Sequence, residues 1–295
     1  MKLDNKEFGF DNFSAEMAKL KNDQHFDYLV TIVGEDFGEE GLGCIYILEN
    51  TKNHERISVK QIAKKVGETD YVIPSVIKLW HDADLLEREV FDFLGIKFLG
   101  HPDMRRLFLR NDFEGYPLRK DFDMSPEHNR FPMTDEPESD WTSEWNLNQF
   151  GELVETKHRL FDTDDFVMNF GPNHPSMHGV LRLQTVVNGE TVKRIYPHLG
   201  YIHRGIEKMM ENMTYPQTLA LTDRLNYLCA MTNRHALVGV IEEAMGVELS
   251  DRIKYIRTIM DELQRIDNHL LFLGTCAQDL SALTAFLYCM RDREH

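Results

Sequence analysis

The sequence predicts an α+β chain, in which an N-terminal α/β sandwich-like domain is followed by a small antiparallel sheet that leads into a helical bundle. Three observations carry this. Runs of alternating apolar residues crowd the stretch from residue 27 to residue 60. The hairpin pair Asn188-Gly189 lies between two strand-like runs. Beyond residue 217 the apolar residues recur at helical spacing instead. A length of 295 residues with 42% apolar content suits about two domains, each able to bury a core.

Residues 1–22 are polar and are read as a leader with a short helix. The first domain, 23–125, opens with three strands, DYLVTIVG, GCIYILEN and RISVK, separated by the turn-like GEDFGEEG and TKNHE. Gly34, Gly38, Gly41 and Gly43 do not form a GxGxxG fingerprint, so they read as a hairpin loop and not as a dinucleotide cradle. Pro74-Ser75 opens a predicted helix, SVIKLWHDADLLEREVFDFL, which Gly95 stops. The charged runs Glu87-Arg88-Glu89 and Pro117-Leu118-Arg119-Lys120-Asp121 read as solvated faces with no catalytic role. Residues 126–165 are an expected acidic linker: 134–144 holds five acidic and no basic residues around Pro137. Trp141 and Trp145 qualify that reading, because two exposed indoles are costly unless they dock.

The second domain, 166–295, starts with the strands around Asn188-Gly189. One helix is expected from Gln217 to Ala244, ending at Gly246. Ser250 then caps another, with Ile253, Ile256, Met260, Leu263, Ile266 and Leu270 on its apolar face and Gly274 as its stop. Glu262 and His269, seven residues apart, share a face of that helix. They are either buried partners or a surface edge.

Charge and composition narrow the function classes. The net charge of −16 disfavours binding to a nucleic-acid backbone or to an anionic membrane surface. No apolar run approaches the roughly 20 residues of a membrane span, and the start, MKLDNKEFGFDNFSAEM, lacks a signal-peptide core, so cytosolic exposure is expected. Cys44, Cys229, Cys276 and Cys289 form no CxxC pair, which argues against a disulfide framework, a zinc site or an iron–sulfur cluster held by this chain alone.

The histidine-bearing runs GPNHPSMHGVLRL (171–183) and PHLGYIHRGIEK (197–208) stand out. Pro172 and Pro175 flank His174, so the His174/His178 pair is not the two-histidine zinc pattern of a helix. A Gly/Pro-rich turn feeding a strand from Val180 presents His178 at a loop tip, either toward a ligand or bonded within its own loop.

Two longer stretches carry a family resemblance. EREVFDFLGIKFLGHPDMRRLFL followed by GYPLRKDF (87–122) resembles the C subunit of bacterial respiratory complex I. Residues 166–294 resemble the first part of its hydrogenase-derived D subunit, with TYPQTLALTDRLNY, IRTIMDELQRIDNHLLFLGT and ALTAFLYCMRDRE in order. The order on one polypeptide resembles the fused C/D subunit of NADH-quinone oxidoreductase. The resemblance ends at Arg293-Glu294-His295, inside the D module, so a C-terminally truncated chain is expected.

The resemblance implies a domain of the C-subunit type, a bundle of the hydrogenase large-subunit type, and a place in the peripheral arm on the cytoplasmic face of the inner membrane. It implies an NADH:quinone oxidoreductase, ubiquinone or menaquinone being left open, that reduces quinone beside the terminal iron–sulfur cluster and couples electron transfer to proton translocation. The cluster is supplied by the B subunit as partner; the I and G subunits and the membrane-embedded H subunit are the other implied partners, and nucleic acid is not. His178 and Tyr227 take the quinone-headgroup positions, Asp279 the carboxylate behind the histidine, and Arg204 the cation beside the cluster. The residue types suit the roles. An imidazole donates near neutral pH when a carboxylate orients it; a phenol, with a reference pKa of about 10, keeps its proton until charge develops opposite it; a cation stabilises a reduced cluster. Without the resemblance, Tyr227 reads as a core aromatic of an amphipathic helix, Asp279 as a helix-start residue and Arg204 as a turn arginine.

Two positions depart from the family pattern: Asn226 stands where an Asp precedes the tyrosine, and Ser281 where a Gly follows the acid by two. Two other functions are weighed. A nickel–iron hydrogenase centre needs two CxxC pairs, and PHLGYIHRG has no thiol at the first. A non-catalytic assembly scaffold for the iron–sulfur subunits is the alternative from another class.

Overall fold

The computed structural model describes residues 4–125, 141–161, 165–174, 177 and 179–294. They fall into two units, Met1–Arg204 and Gly205–His295.

In the first unit, strands β1 (Asp4–Glu7), β2 (Tyr28–Asp36), β3 (Leu42–Asn50) and β4 (Glu55–Ile62) form a sheet in the order β1-β4-β3-β2. The three strands expected from alternation are present and antiparallel, while β1 joins β4 in parallel. Alternation explains the core: Cys44, Tyr46 and Leu48 of β3 and Ile57 and Val59 of β4 are all buried. Helix α1 (Phe13–Asn22) adds Phe13, Met17 and Leu20, spaced to fall on one helical face. The Phe13 and Tyr46 rings lie 5.3 Å apart. The segment expected as a leader therefore supplies part of this core.

A second sheet runs β5 (Lys64–Val66), β6 (Asp70–Pro74), β7 (Ile96–Leu99), β8 (Trp141–Leu147), β9 (Leu153–Arg159), in that order. Strands β6, β7 and β8 are parallel, and helix α2 (Ala83–Leu94) makes the crossover from β6 to β7. Two strands thus occupy the later part of the expected linker, whose acidic centre, residues 126–140, lies outside the described residues. Trp145 packs against the core, with the Lys97 ammonium 3.8 Å from its ring centre, whereas Trp141 stays half exposed.

The predicted helix 75–94 is shorter at its start. Residues 75–82 form turns, because the Glu87 carboxylate draws them back over α2: it accepts from Ser75 Oγ at 2.6 Å and from the Val76 N–H at 2.8 Å. The end is as expected, with Gly95 left-handed at φ 72°. The charged triplet is not a solvated face, since Glu87 is 0% and Arg88 4% exposed. Arg119 of the second charged run lies over the Tyr71 and Tyr116 rings and donates to the Leu94 carbonyl at 2.7 Å.

The small antiparallel sheet comprises β10 (Phe166–Phe170), β11 (Arg182–Asn188) and β12 (Thr191–His198), with Asn188-Gly189 at the expected hairpin. Leu160, Phe161 and Val186 form its own small core with Val167 and Tyr196.

The second unit is helical: α3 (Ile206–Met210), α4 (Tyr215–Thr222), α5 (Ala230–Met245), α6 (Asp251–Asp279) and α7 (Leu283–Glu294). Ser250 stands at the N-cap position of α6 as expected, with extended backbone and no side-chain capping bond. Two expectations change. The helix read from Gln217 to Ala244 breaks between α4 and α5, and α6 runs past Gly274 to Asp279. Gly274 is a packing residue: a Cβ there would stand 3.2 Å from the Cys289 Cβ and 3.3 Å from Phe286, so its smallness lets α7 approach α6. Polar clasps join α5 to α6. Arg257 pairs in two bonds with Glu242 at 2.7 and 2.8 Å, His235 meets Asp261 at 2.5 Å, and the Thr232 N–H donates to Gln264 at 3.0 Å. Among the described residues no helix is long and apolar enough to cross a membrane.

Burial lifts the Glu87 pKa to about 7, against the opposing pull of its Ser75 and Val76 bonds and of His101. A raised acid keeps its proton in the folded chain after the unfolded chain has lost it. Its contribution is fully present below the ordinary value of 4.5 and is lost as pH rises through about 7. In urea unfolding, the stability of the wild type relative to Glu87→Gln is expected to fall by on the order of 3 kcal/mol between about pH 4 and pH 8. A difference that stays flat across that range would show that Glu87 titrates normally.

Candidate functional site

The loop after β12 carries the His-Arg-Gly run, and its position is set by α2. Asp92, fully buried on α2, accepts the backbone N–H groups of Leu107, Phe108 and Leu109 on one oxygen at 3.1, 2.7 and 2.9 Å. Arg106 bonds the other oxygen at 3.0 Å. This fixes the 105–111 loop, against which the later loop lies. A Cβ on Gly200, which has φ 92°, would stand 1.9 Å from the Phe108 carbonyl oxygen, so only glycine fits. His203 stacks on Phe93 with centroids 5.1 Å apart and lies 6.1 Å from Phe108. Burial lowers its pKa, Asp92 opposes this and Arg204 adds to it. Arg204 itself is exposed at the end of that loop.

The described residues among 171–181 hold no α-helix, in keeping with the prolines that flank His174. His174 is exposed, its ring edge-on to Phe170 at 6.3 Å, and its carbonyl accepts the Met177 N–H at 3.0 Å. His178 lies outside the described residues.

Tyr227 does not sit on a helix. It occupies the turn between α4 and α5 and is 66% exposed. Asn226 shapes that turn, its side-chain oxygen accepting the Leu228 N–H at 3.2 Å and its carbonyl accepting from Cys229 at 2.9 Å. A bond across the turn from Arg234 Nε to Asp223, 3.1 Å, clamps its two ends. The amide at 226 therefore supplies a neutral acceptor for a backbone bond.

Asp279 is the last residue of α6, not a helix start. The helix closes in a paired-bond motif, with the Ser281 N–H donating to Gln278 at 2.9 Å and the Ala282 N–H to Ala277 at 2.7 Å. Ser281 takes the left-handed position of that motif at φ 64°, where glycine carries no Cβ penalty. Its exposed hydroxyl is not in a buried helix contact.

Tyr227 and Asp279 thus belong to the helical unit, while Arg204 ends the first. Glu262 and His269 are a surface edge, both exposed, with Glu262 bonded to Arg265 at 3.0 Å. The cysteines are dispersed over β3, the start of α5, α6 and α7. Among the described residues no group of three or more His, Cys, Asp or Glu could hold a metal ion. The residues that sequence reading missed are Asp92 and His203. Asp92 lies on an apolar helix face, where a lone acid at a core position was the available signal.

Residues 10–128 match the family model described as respiratory-chain NADH dehydrogenase, 30 Kd subunit. The chain is similar to the C/D subunit of NADH-quinone oxidoreductase from Phocaeicola vulgatus, 53% identical over 95% of this chain and 53% of the relative. The same-named protein of Bacteroides thetaiotaomicron is 52% identical over 95% and 54%. The C/D 2 subunit of NADH-quinone oxidoreductase from Aquifex aeolicus is 40% identical over 93% and 48%. The chain spans about half the length of these relatives.

A non-glycine residue in the left-handed region costs roughly 1 kcal/mol. Ser281→Gly is expected to stabilise the helical unit by about that amount in thermal or urea unfolding. A neutral or destabilising result would mean that the α6 end is held by the serine side chain.

Proposed function

Because the chain belongs to the family of NADH-quinone oxidoreductase C/D subunits over the half of those proteins that it spans, we propose that it helps to form a quinone-reduction site in the peripheral arm of a multisubunit oxidoreductase. Quinone takes up two electrons and two protons, and charge arriving on it in an apolar cavity needs donors aimed at its carbonyl oxygens. In this reading Tyr227 and His178 are those donors, and Asp279 orients and charges the histidine. Arg204 is the cation beside an iron–sulfur cluster that a partner subunit holds. The B, I and G subunits and the membrane-embedded H subunit are the partners of the reading, on the cytoplasmic face of the inner membrane, and proton translocation belongs to the membrane partners. The NADH-binding work also falls to other subunits.

The observation that carries the reading is the place of Tyr227: a large aromatic lifted out of the helices into a clamped turn, with its phenol open to a second molecule. Asp279 adds support, since a carboxylate at the C-terminal end of α6 meets the negative end of the helix dipole and does not stabilise that helix. The dispersed cysteines support a cluster held elsewhere.

A second reading, an assembly scaffold for the iron–sulfur subunits, is favoured by the apolar residues that α6 leaves exposed, among them Ile256, Ile259, Leu263 and Phe272. One variant separates the two. In the complete complex, Tyr227→Phe is expected to slow quinone reduction by about 10- to 100-fold, the scale of losing one donor to a developing oxyanion, while electrons still reach the clusters. Unchanged quinone reduction and unchanged apparent quinone affinity would remove Tyr227 from the site and leave the scaffold reading.

A further inference from the structure

We propose that an arginine-walled cavity in the first unit, between the 105–111 loop and strands β11 and β12, is a binding site for a phosphate ester. The cavity measures about 300 Å³. Arg88, Arg105, Arg106, Arg110 and Arg182 line it together with His198, and no carboxylate is among the described residues of its wall. Five arginines around one space are unexpected in a chain of net charge −16.

The site is built and not merely a surface patch. Arg88 is 4% exposed and is held by the Arg105 and Arg106 carbonyls at 3.2 and 3.3 Å. Arg105 grips Asp103 with two bonds at 2.8 and 2.6 Å and lies 5.0 Å over the Tyr196 ring. Arg110 grips Asp112 in the same way, at 2.9 and 2.8 Å. On the opposite wall Arg182 is steadied by Asn169 at 3.1 Å, and His198 by the buried Gln184 at 3.1 Å. The carboxylates of Asp92, Asp103 and Asp112 orient the arginines from outside the wall. A guanidinium carries five N–H donors and a carboxylate engages two, so the Arg105 fork, fixed on Asp103 by one edge, can present another, whereas Arg106 spends its terminal nitrogens on Asp92, Phe113 and Gly115. Burial pushes the Arg88 guanidinium below its ordinary pKa, with Asp103 opposing, and an anion in the cavity would relieve that desolvation.

The choice of a phosphate ester over a bare ion follows from the rest of the wall. Leu107, Leu109, Leu199 and Tyr201 alternate with the cations, so the space offers an apolar surface next to the charged one. Its volume sits at the small-molecule end of ligand cavities, too small for an extended chain. Planar, bidentate recognition of phosphate oxygens is what guanidinium groups do better than ammonium groups. The site does not depend on the quinone reading, since none of its wall residues belongs to that site.

The test is calorimetric titration of the full chain with inorganic phosphate and with phenyl phosphate at fixed ionic strength. One saturable site is expected for both, with phenyl phosphate tighter by about tenfold because its ring meets the apolar wall. In the double variant Arg110→Gln/Arg182→Gln the affinity is expected to fall at least about tenfold. Arg110→Lys, which keeps the charge and loses the fork, should weaken binding while leaving the thermal unfolding temperature in place. A linear, unsaturable heat, equal affinity in the double variant or in Arg110→Lys, or equal affinity for the two probes would each overturn the proposal.

Discussion

One buried carboxylate holds much of the first unit in register. Asp92 leaves α2 into the core and takes three consecutive backbone N–H groups of the 107–109 segment, with Arg106 on its second oxygen. A loop has no ladder to satisfy its amides, and burying it without partners is strongly destabilising. Asp92 solves this at one point, and the loop it secures does three further things. It presents the Phe108 carbonyl against Gly200, supplies Phe108 to the ring cluster around His203, and places Arg105, Arg106 and Arg110 around the cavity. The loop carrying Arg204 is thus positioned through Asp92, although the two are far apart in sequence.

Two buried or nearly buried acids in this unit show how donors decide the state of a carboxyl. Glu87 has two donors, Ser75 and Val76, and burial outweighs them, so its pKa climbs to about 7. Burial pushes Asp103 in the same direction, but Arg105, Arg88 and Thr142 overcome it and hold the carboxyl well below its usual range. A buried acid with cationic partners is a fastener, and one with neutral donors alone is a proton holder. Glu87 lies 4.0 Å from the buried His101, so any charge it gains above neutral pH appears in the interior of the α2 layer.

The parts of this fold that were legible in the sequence are those set by local period. The strands β2, β3 and β4 follow from alternation, the β11–β12 hairpin from Asn188-Gly189, and the α6 start from Ser250. What escaped depends on contacts remote in sequence. Strands β6 and β7 are short and pair in parallel across a helix, which no local pattern announces. Residues 75–82 look helical until Glu87 pulls their amides away. Gly274 has the composition of a stop but serves a helix contact, whereas the true end of α6 uses Ser281 in the role that glycine usually fills. The candidate site was legible only through the family pattern. Periodicity put Tyr227 in a helix, because the apolar spacing continues across the 223–229 turn and the side-chain bonds of Asn226 and Asp223 that break it are invisible to a periodic reading.

The two units also differ in what stabilises them. The first buries whole faces of its sheets, with Tyr46, Phe13, Phe98 and Leu48 shielded from water. At roughly 1.5–3 kcal/mol for each large apolar side chain fully buried, such a core is the main favourable contribution to this unit. In the helical unit α5 buries no side chain, and the only buried position of α6 is Gly274. Its helices are joined by the Arg257–Glu242, His235–Asp261 and Arg293–Asp267 pairs. Exposed pairs of this kind contribute about 0–1 kcal/mol each, far less than apolar faces of such length would give if covered. Helix α6 nonetheless keeps a regular apolar stripe through Ile256, Ile259, Leu263 and Ile266. The polar clasps therefore act chiefly as a register: they fix which faces of α5 and α6 meet, and so fix where the Tyr227 turn and the Asp279 end stand within the unit, while the stripe remains outside the contacts that hold it together.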